Sequence, residues 1–125
     1  MSAKTPEEIG TFFRQFMREG NMEGLLSLYD DDVVFVTAEE AAKRGKDKLR
    51  EELAPMAAAK ARFEFKIKQI AHTDNIALMH TLWDISSPKP MSVYAIEIAR
   101  RQDDRTWRWL IGDPFTVGRP VPHRS

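Results

Sequence analysis

Three side chains in this sequence are suited to handling a proton: Asp113, His80 and Tyr29. Asp113 ends a run of large apolar residues, TWRWLIGDPFTVG at 106–118. Trp107, Trp109, Ile111, Asp113 and Phe115 share one parity there, so an unbroken strand would place them on one face. A carboxyl beside two indoles loses hydration, which raises its pKa and suits it to general-base work. Gly112-Asp113-Pro114 is also good turn composition, with the carboxyl accepting from nearby backbone amides. Both readings stand, and the turn is the simpler one energetically.

His80 sits mid-strand, on one face with Leu78, Leu82 and Asp84. It is either an acid/base in a pocket or a satisfied core or interface histidine. Asp84 cannot orient it directly, because four residues along a strand span about 13 Å. Tyr29 carries a hydroxyl that needs a partner if buried, either a ligand carbonyl or the backbone. Phe16, Trp83, Tyr94, Trp109 and Phe115 are candidates to line an apolar pocket, with plain core packing as the alternative. No HExxH and no histidine pair at ligand spacing occurs, and there is no cysteine, so neither a metal nor another cofactor is expected.

The elements that must carry these residues follow from pattern. Thr5-Pro6-Glu7-Glu8 reads as a helix start. Ile9, Phe12, Phe13, Phe16 and Met17 then mark one buried face up to Gly20. Asn21 can cap a short second helix over about 22–29, which puts Tyr29 at its end. Val33–Val36 reads as a strand, Thr37–Arg44 as a polar loop, and Gly45 precedes a third helix that Pro55 should kink or end. From residue 61 the apolar period changes to two. Four strands follow, around 61–71, 76–85, 92–99 and 106–113, joined by turns at 72–75, 86–90 and 101–105. Short turns between long strands make an antiparallel meander. Helices first and strands after give an α+β fold with the helices on one face of the sheet.

The chain has 125 residues, 42% apolar and 30% charged, which fits one ordinary globular domain. No run approaches the roughly 20 apolar residues of a membrane span, and no signal peptide is evident, so a cytoplasmic protein is expected. Net charge is zero but unevenly spread. Residues 1–42 hold three basic and nine acidic side chains, and residues 43–125 hold sixteen and ten. Mutual attraction of the two halves is the simple reading. The basic run Lys43-Arg44-Lys46-Lys48-Arg50 reads as a solvated helix start, and a nucleic-acid role lacks the basic excess it needs.

The ordered pieces GNMEGLLSLYDDDVVFV (20–36), RGKDKLREEL (44–53), IALMHTLWDI (76–85) and RTWRWLIGDPF (105–115) resemble the nuclear transport factor 2-like superfamily, in its SnoaL-like and ketosteroid-isomerase-like branch. The resemblance implies a cone-shaped, cystatin-like α+β barrel over residues 1–118, three helices lying in the concave face of a curved, mostly antiparallel sheet. Residues 119–125 would then be a flexible tail. It further implies a pocket for a small apolar or aromatic molecule, a homodimer through the outer sheet face, and cofactor-independent isomerase or cyclase chemistry on a carbonyl compound. Asp113 or His80 would be the base and Tyr29 the stabiliser of oxyanion charge. A non-catalytic binding protein and an association module use the same fold. Where ketosteroid isomerases carry their proton-transferring Asp, this chain has Val36 or Thr37, followed by Glu39 and Glu40.

Overall fold

The computed structural model describes residues 2–118. Helix α1 (Pro6–Glu19) starts at Thr5, where the Glu8 carboxylate accepts from the Lys4 and Thr5 amides. It ends at Gly20, whose φ of 67° lies in the left-handed region that glycine enters at little cost. The Asn21 side chain caps α2 (Met22–Ser27) by accepting from the Gly24 amide at 2.9 Å. Helix α2 is shorter than its pattern suggests. Tyr29 does not end it but opens strand β1 (Tyr29–Val36).

The expected loop after β1 contains a short strand, β2 (Ala42–Arg44), paired antiparallel to β1. Helix α3 (Lys46–Ala58) keeps Leu49, Leu53 and Ala57 buried, and Pro55 lies in its last turn without ending it. A proline there costs a single backbone bond near an end where carbonyls already lack partners. Strands β3 (Arg62–His72), β4 (Ile76–Ser87), β5 (Met91–Arg101) and β6 (Trp107–Asp113) form the antiparallel meander. The sheet order is β2-β1-β6-β5-β4-β3, with β1 parallel to β6. One curved, open six-stranded sheet therefore holds all three helices against its inner face. The expected α+β cone is present, and the sheet does not close into a barrel. The expected tail at 119–125 lies outside the described residues.

Alternation along β4 fixes the inner face. Ala77, Met79, Thr81, Trp83 and Ile85 are buried, while Ile76, Leu78 and Asp84 are exposed and His80 and Leu82 only partly covered. On β5 the inward residues are Ala95, Glu97 and Ala99, and Tyr94, Ile96 and Ile98 point the other way. The small alanines leave room for the indoles of Trp83 and Trp109, whose ring centroids lie 6.1 Å apart. Gly10 of α1 serves the same purpose: a Cβ there would lie 2.9 Å from the Phe65 ring.

Strand β6 breaks its own parity. Ile98 pairs with Ile111 but Ala99 pairs with Trp109, which leaves Leu110 as the extra residue of a bulge. Trp107 and Trp109 are buried, whereas Ile111 is 38% exposed on the outer side. The five residues expected on one face are therefore split between two.

Candidate functional site

A cavity of about 170 Å³ opens between α3 and the concave sheet. Phe13 of α1, Tyr29 and Phe35 of β1, and Phe63, Trp83 and Trp109 of the sheet supply aromatic walls. Leu49, Glu52, Leu53 and Met56 of α3 close the opposite side. Gly112 also lines it, and a Cβ built there meets nothing within 4 Å, so the strand end faces open space. A dry cavity of about 150 Å³ takes up benzene, so this space suits a ligand portion of one ring rather than a fused polycycle.

The buried acid of the cavity is Glu97, 8% exposed on β5. Its Oε1 accepts from the Thr81 hydroxyl at 2.8 Å, and its Oε2 accepts from Trp83 Nε1 at 2.8 Å. Burial pushes this carboxyl up to about 7, and the two hydrogen bonds, which favour the charged form, only partly offset it. Each carboxyl oxygen keeps a lone pair beyond the one engaged. Tyr29 faces the same space, its ring 5.3 Å from that of Trp109. Desolvation first, and then the charge of Glu97, hold its phenol well above the ordinary value, so Tyr29 stays a neutral hydroxyl donor at any working pH. Trp109, 5% exposed, is the one side chain among the described residues with a buried nitrogen or oxygen, Nε1, that has no hydrogen-bond partner.

The residues expected to act are placed unequally. Tyr29, Trp83, Trp109, Phe115 and Asp113 all line the cavity. Asp113 is half-buried, and its Oδ1 accepts from the Phe115 amide at 3.1 Å and the Thr116 amide at 3.0 Å, which makes it a turn-former as well. His80 is not among the cavity residues. The pleat turns it to the outer face, beside Tyr94 at a ring distance of 6.1 Å. Tyr94 goes with it for the same reason. Phe16 is buried, but where α1 meets α2: a Cβ on Gly24 would lie 2.8 Å from its ring. Of the two residues standing where ketosteroid isomerases carry an acid, Val36 lines the cavity as an apolar side chain, and Thr37 is buried without lining it. Glu39 and Glu40 sit in an exposed turn.

Glu97 escaped sequence reasoning because β5 is apolar on both faces. In SVYAIEIARR the bulky residues Tyr94, Ile96 and Ile98 suggest the inner face, with Glu97 in water. The opposite holds, because the indoles of the neighbouring strands already fill the interior. A carboxylate alternating with two alanines, opposite a strand carrying Thr and Trp, was the available signal.

Among the described residues no cluster of His, Cys, Asp or Glu could hold a metal ion, and no helix is long and apolar enough to cross a membrane. A sequence profile of the SnoaL-like domain matches residues 9–109. This chain belongs to the SnoaL-like domain family, within the nuclear transport factor 2-like superfamily. No curated protein matches it by sequence. Among solved structures, this SnoaL-like chain is similar to a Thiobacillus denitrificans protein provisionally described as a calcium/calmodulin-dependent protein kinase type II association domain. That match has 16% identity and TM-score 0.76, covering 93% of this chain and 99% of the other. A ketosteroid isomerase-like protein from Erwinia carotovora atroseptica matches at 14% identity and TM-score 0.66, covering 86% and 89%. A Streptomyces avermitilis protein of the NTF2-like family, provisionally described as a dehydratase, matches at 18% identity and TM-score 0.66, covering 88% and 93%. At these identities the likeness is one of fold.

Proposed function

We propose that this SnoaL-like chain binds a small cyclic or aromatic carbonyl compound and moves a proton on it without a cofactor, with Glu97 as the acid/base. The observation that carries the reading is the Glu97 carboxyl, desolvated in an aromatic cavity and poised near neutrality. A base is most effective when its pKa lies near the working pH. The ionised carboxyl takes a proton from the carbon beside the carbonyl. The C–H electron pair becomes the C=C bond of an enolate, whose oxygen accepts a hydrogen bond from the Tyr29 hydroxyl. Glu97 exchanges its proton with solvent and returns a solvent-derived one to the same carbon, which completes an exchange; with a β,γ-unsaturated ketone, delivery to the γ-carbon as the C=C pair shifts into conjugation completes an isomerisation.

The test is α-proton exchange of cyclohexanone in D₂O, followed by proton NMR. The wild-type chain should accelerate exchange with a rate that rises through pH 7, as Glu97 ionises. Glu97→Gln should lose about 10²–10⁴-fold of that rate while still binding the ketone. Exchange that survives Glu97→Gln would remove the proposal. The same cavity without turnover would leave a binding protein, the second class the fold supports.

We propose in addition that two copies pair through the outer sheet face. Leu78, Ile98 and Ile111 stand in register across β4, β5 and β6, flanked by Leu82 against Tyr94 and His80 against Ile96. Leu78 and Ile111 are 37% and 38% exposed, which leaves an apolar surface on the side of the sheet that carries no helix.

A further inference from the structure

The Glu97 carboxyl is gripped by one neighbouring strand. Thr81 and Trp83 alternate on β4, so both side chains point to the inner face. Each donates at 2.8 Å to a different oxygen, Thr81 to Oε1 and Trp83 to Oε2. The two donors are not equivalent, because an indole N–H only donates whereas a hydroxyl both donates and accepts. A protonated carboxyl has one oxygen that carries the hydrogen and one carbonyl oxygen, which is the better acceptor. Trp83 therefore fixes Oε2 as the carbonyl oxygen, and the hydrogen falls to Oε1, beside Thr81. Thr81 is 1% exposed and is not among the cavity residues. It lines a narrow crevice behind the carboxyl, between α1 and the sheet.

We propose that Thr81 is a positioning residue for Glu97, clamping the carboxyl plane together with Trp83 and holding Oε1, the oxygen that carries the transferable hydrogen. A donor to the ionised form favours ionisation, so Thr81 works against burial, which pushes the carboxyl up. The other titratable groups lining the spaces around Glu97 are Tyr29 of β1, Glu52 of α3 and Asp113 of β6 in the cavity, and Glu7 of α1 at the crevice. The lining residues of β3 and β4 are uncharged. Thr81→Val leaves all of these in place. Valine has the branched shape of threonine and suits a strand, so the variant removes a hydroxyl and little else.

The inference rests on Glu97 as the acid/base, and the experiment separates the two. The Trp83 indole N–H resonance in NMR spectra reports on Glu97 through its own hydrogen bond. In wild type it should titrate near pH 7, and in Glu97→Gln it should not. Thr81→Val should move the midpoint up by at least about half a pH unit, roughly threefold in acid dissociation, and Thr81→Ser should restore it. In the cyclohexanone assay at pH 7, Thr81→Val should lose at least about threefold in rate, with the rise of the rate moving to higher pH alongside the NMR midpoint. A midpoint unchanged in Thr81→Val, or one that Thr81→Ser fails to restore, would overturn the role of Thr81. A shifted midpoint with no exchange by wild type would uphold the positioning and remove proton transfer instead. A wild-type signal that does not titrate would overturn both.

Discussion

Two acidic residues show how environment sets the role of a carboxyl. Asp30 is 3% exposed, yet desolvation is outweighed by bonds from Arg100 at 2.7 and 3.0 Å, the Asp32 amide and Gln102, and its carboxyl is held below the ordinary value. Glu97 has two neutral donors and no cation, so burial dominates and its carboxyl rises. The consequence for stability has a definite sign. Between the unfolded value near 4.5 and the folded value of about 7, the folded chain holds a proton that the unfolded chain has released. This site therefore makes stability fall as pH rises through that window and levels off above it. A displacement of this size corresponds to a few kcal/mol, on the order of 3. Urea unfolding at pH 5 and pH 8 should show wild type losing stability relative to Glu97→Gln by that order. Parallel pH dependence of the two proteins would contradict the assignment.

At the scale of elements, the site depends on a bulge and a glycine. Without the extra residue at Leu110, Ile111 would turn inward and Gly112 would leave the cavity wall. Because a Cβ at Gly112 meets open space, Gly112→Leu should fold and place its side chain in the cavity. Thermal stability should hold or rise by up to about 1 kcal/mol, since the side chain replaces a glycine that weakens a strand and meets open space rather than a clash. Cyclohexanone and benzyl alcohol should lose at least tenfold in affinity. Retained affinity with unchanged stability would mean that the ligand lies elsewhere.

Across the whole molecule, the uneven charge of the two halves resolves into specific pairs. Arg100 bridges Asp30 and Asp32, Lys46 meets Asp31 at 3.3 Å, and Arg50 meets Glu23 at 2.8 Å, each joining the basic part of the chain to the acidic part. With much of this charge paired within the chain and a net charge of zero, little long-range repulsion opposes pairing through the outer face. Leu78→Asp places a carboxylate in the centre of that face, far from the cavity. Light scattering after size-exclusion chromatography should show a dimer for wild type and a monomer for the variant. A wild-type monomer at high concentration would rule the pairing out.

Periodicity and punctuation were enough to read the helices, the meander and the family from the chain alone. Ile9 to Met17 repeats at helical spacing, Phe63-Phe65-Ile67 at strand spacing, and Gly20 and Gly45 mark boundaries, all of them local properties of sequence. Only the tertiary structure decided which face each strand turns inward, and with it the acid of the site. A two-sided apolar strand such as β5 carries no local instruction about orientation. The indoles of Trp83 and Trp109 on adjacent strands take the interior volume, leaving Ala95, Glu97 and Ala99 to face it and His80 to face away. A bulge of one residue then moved Ile111 out and brought Gly112 in, because a side-chain period of two turns a single inserted residue into a change of face.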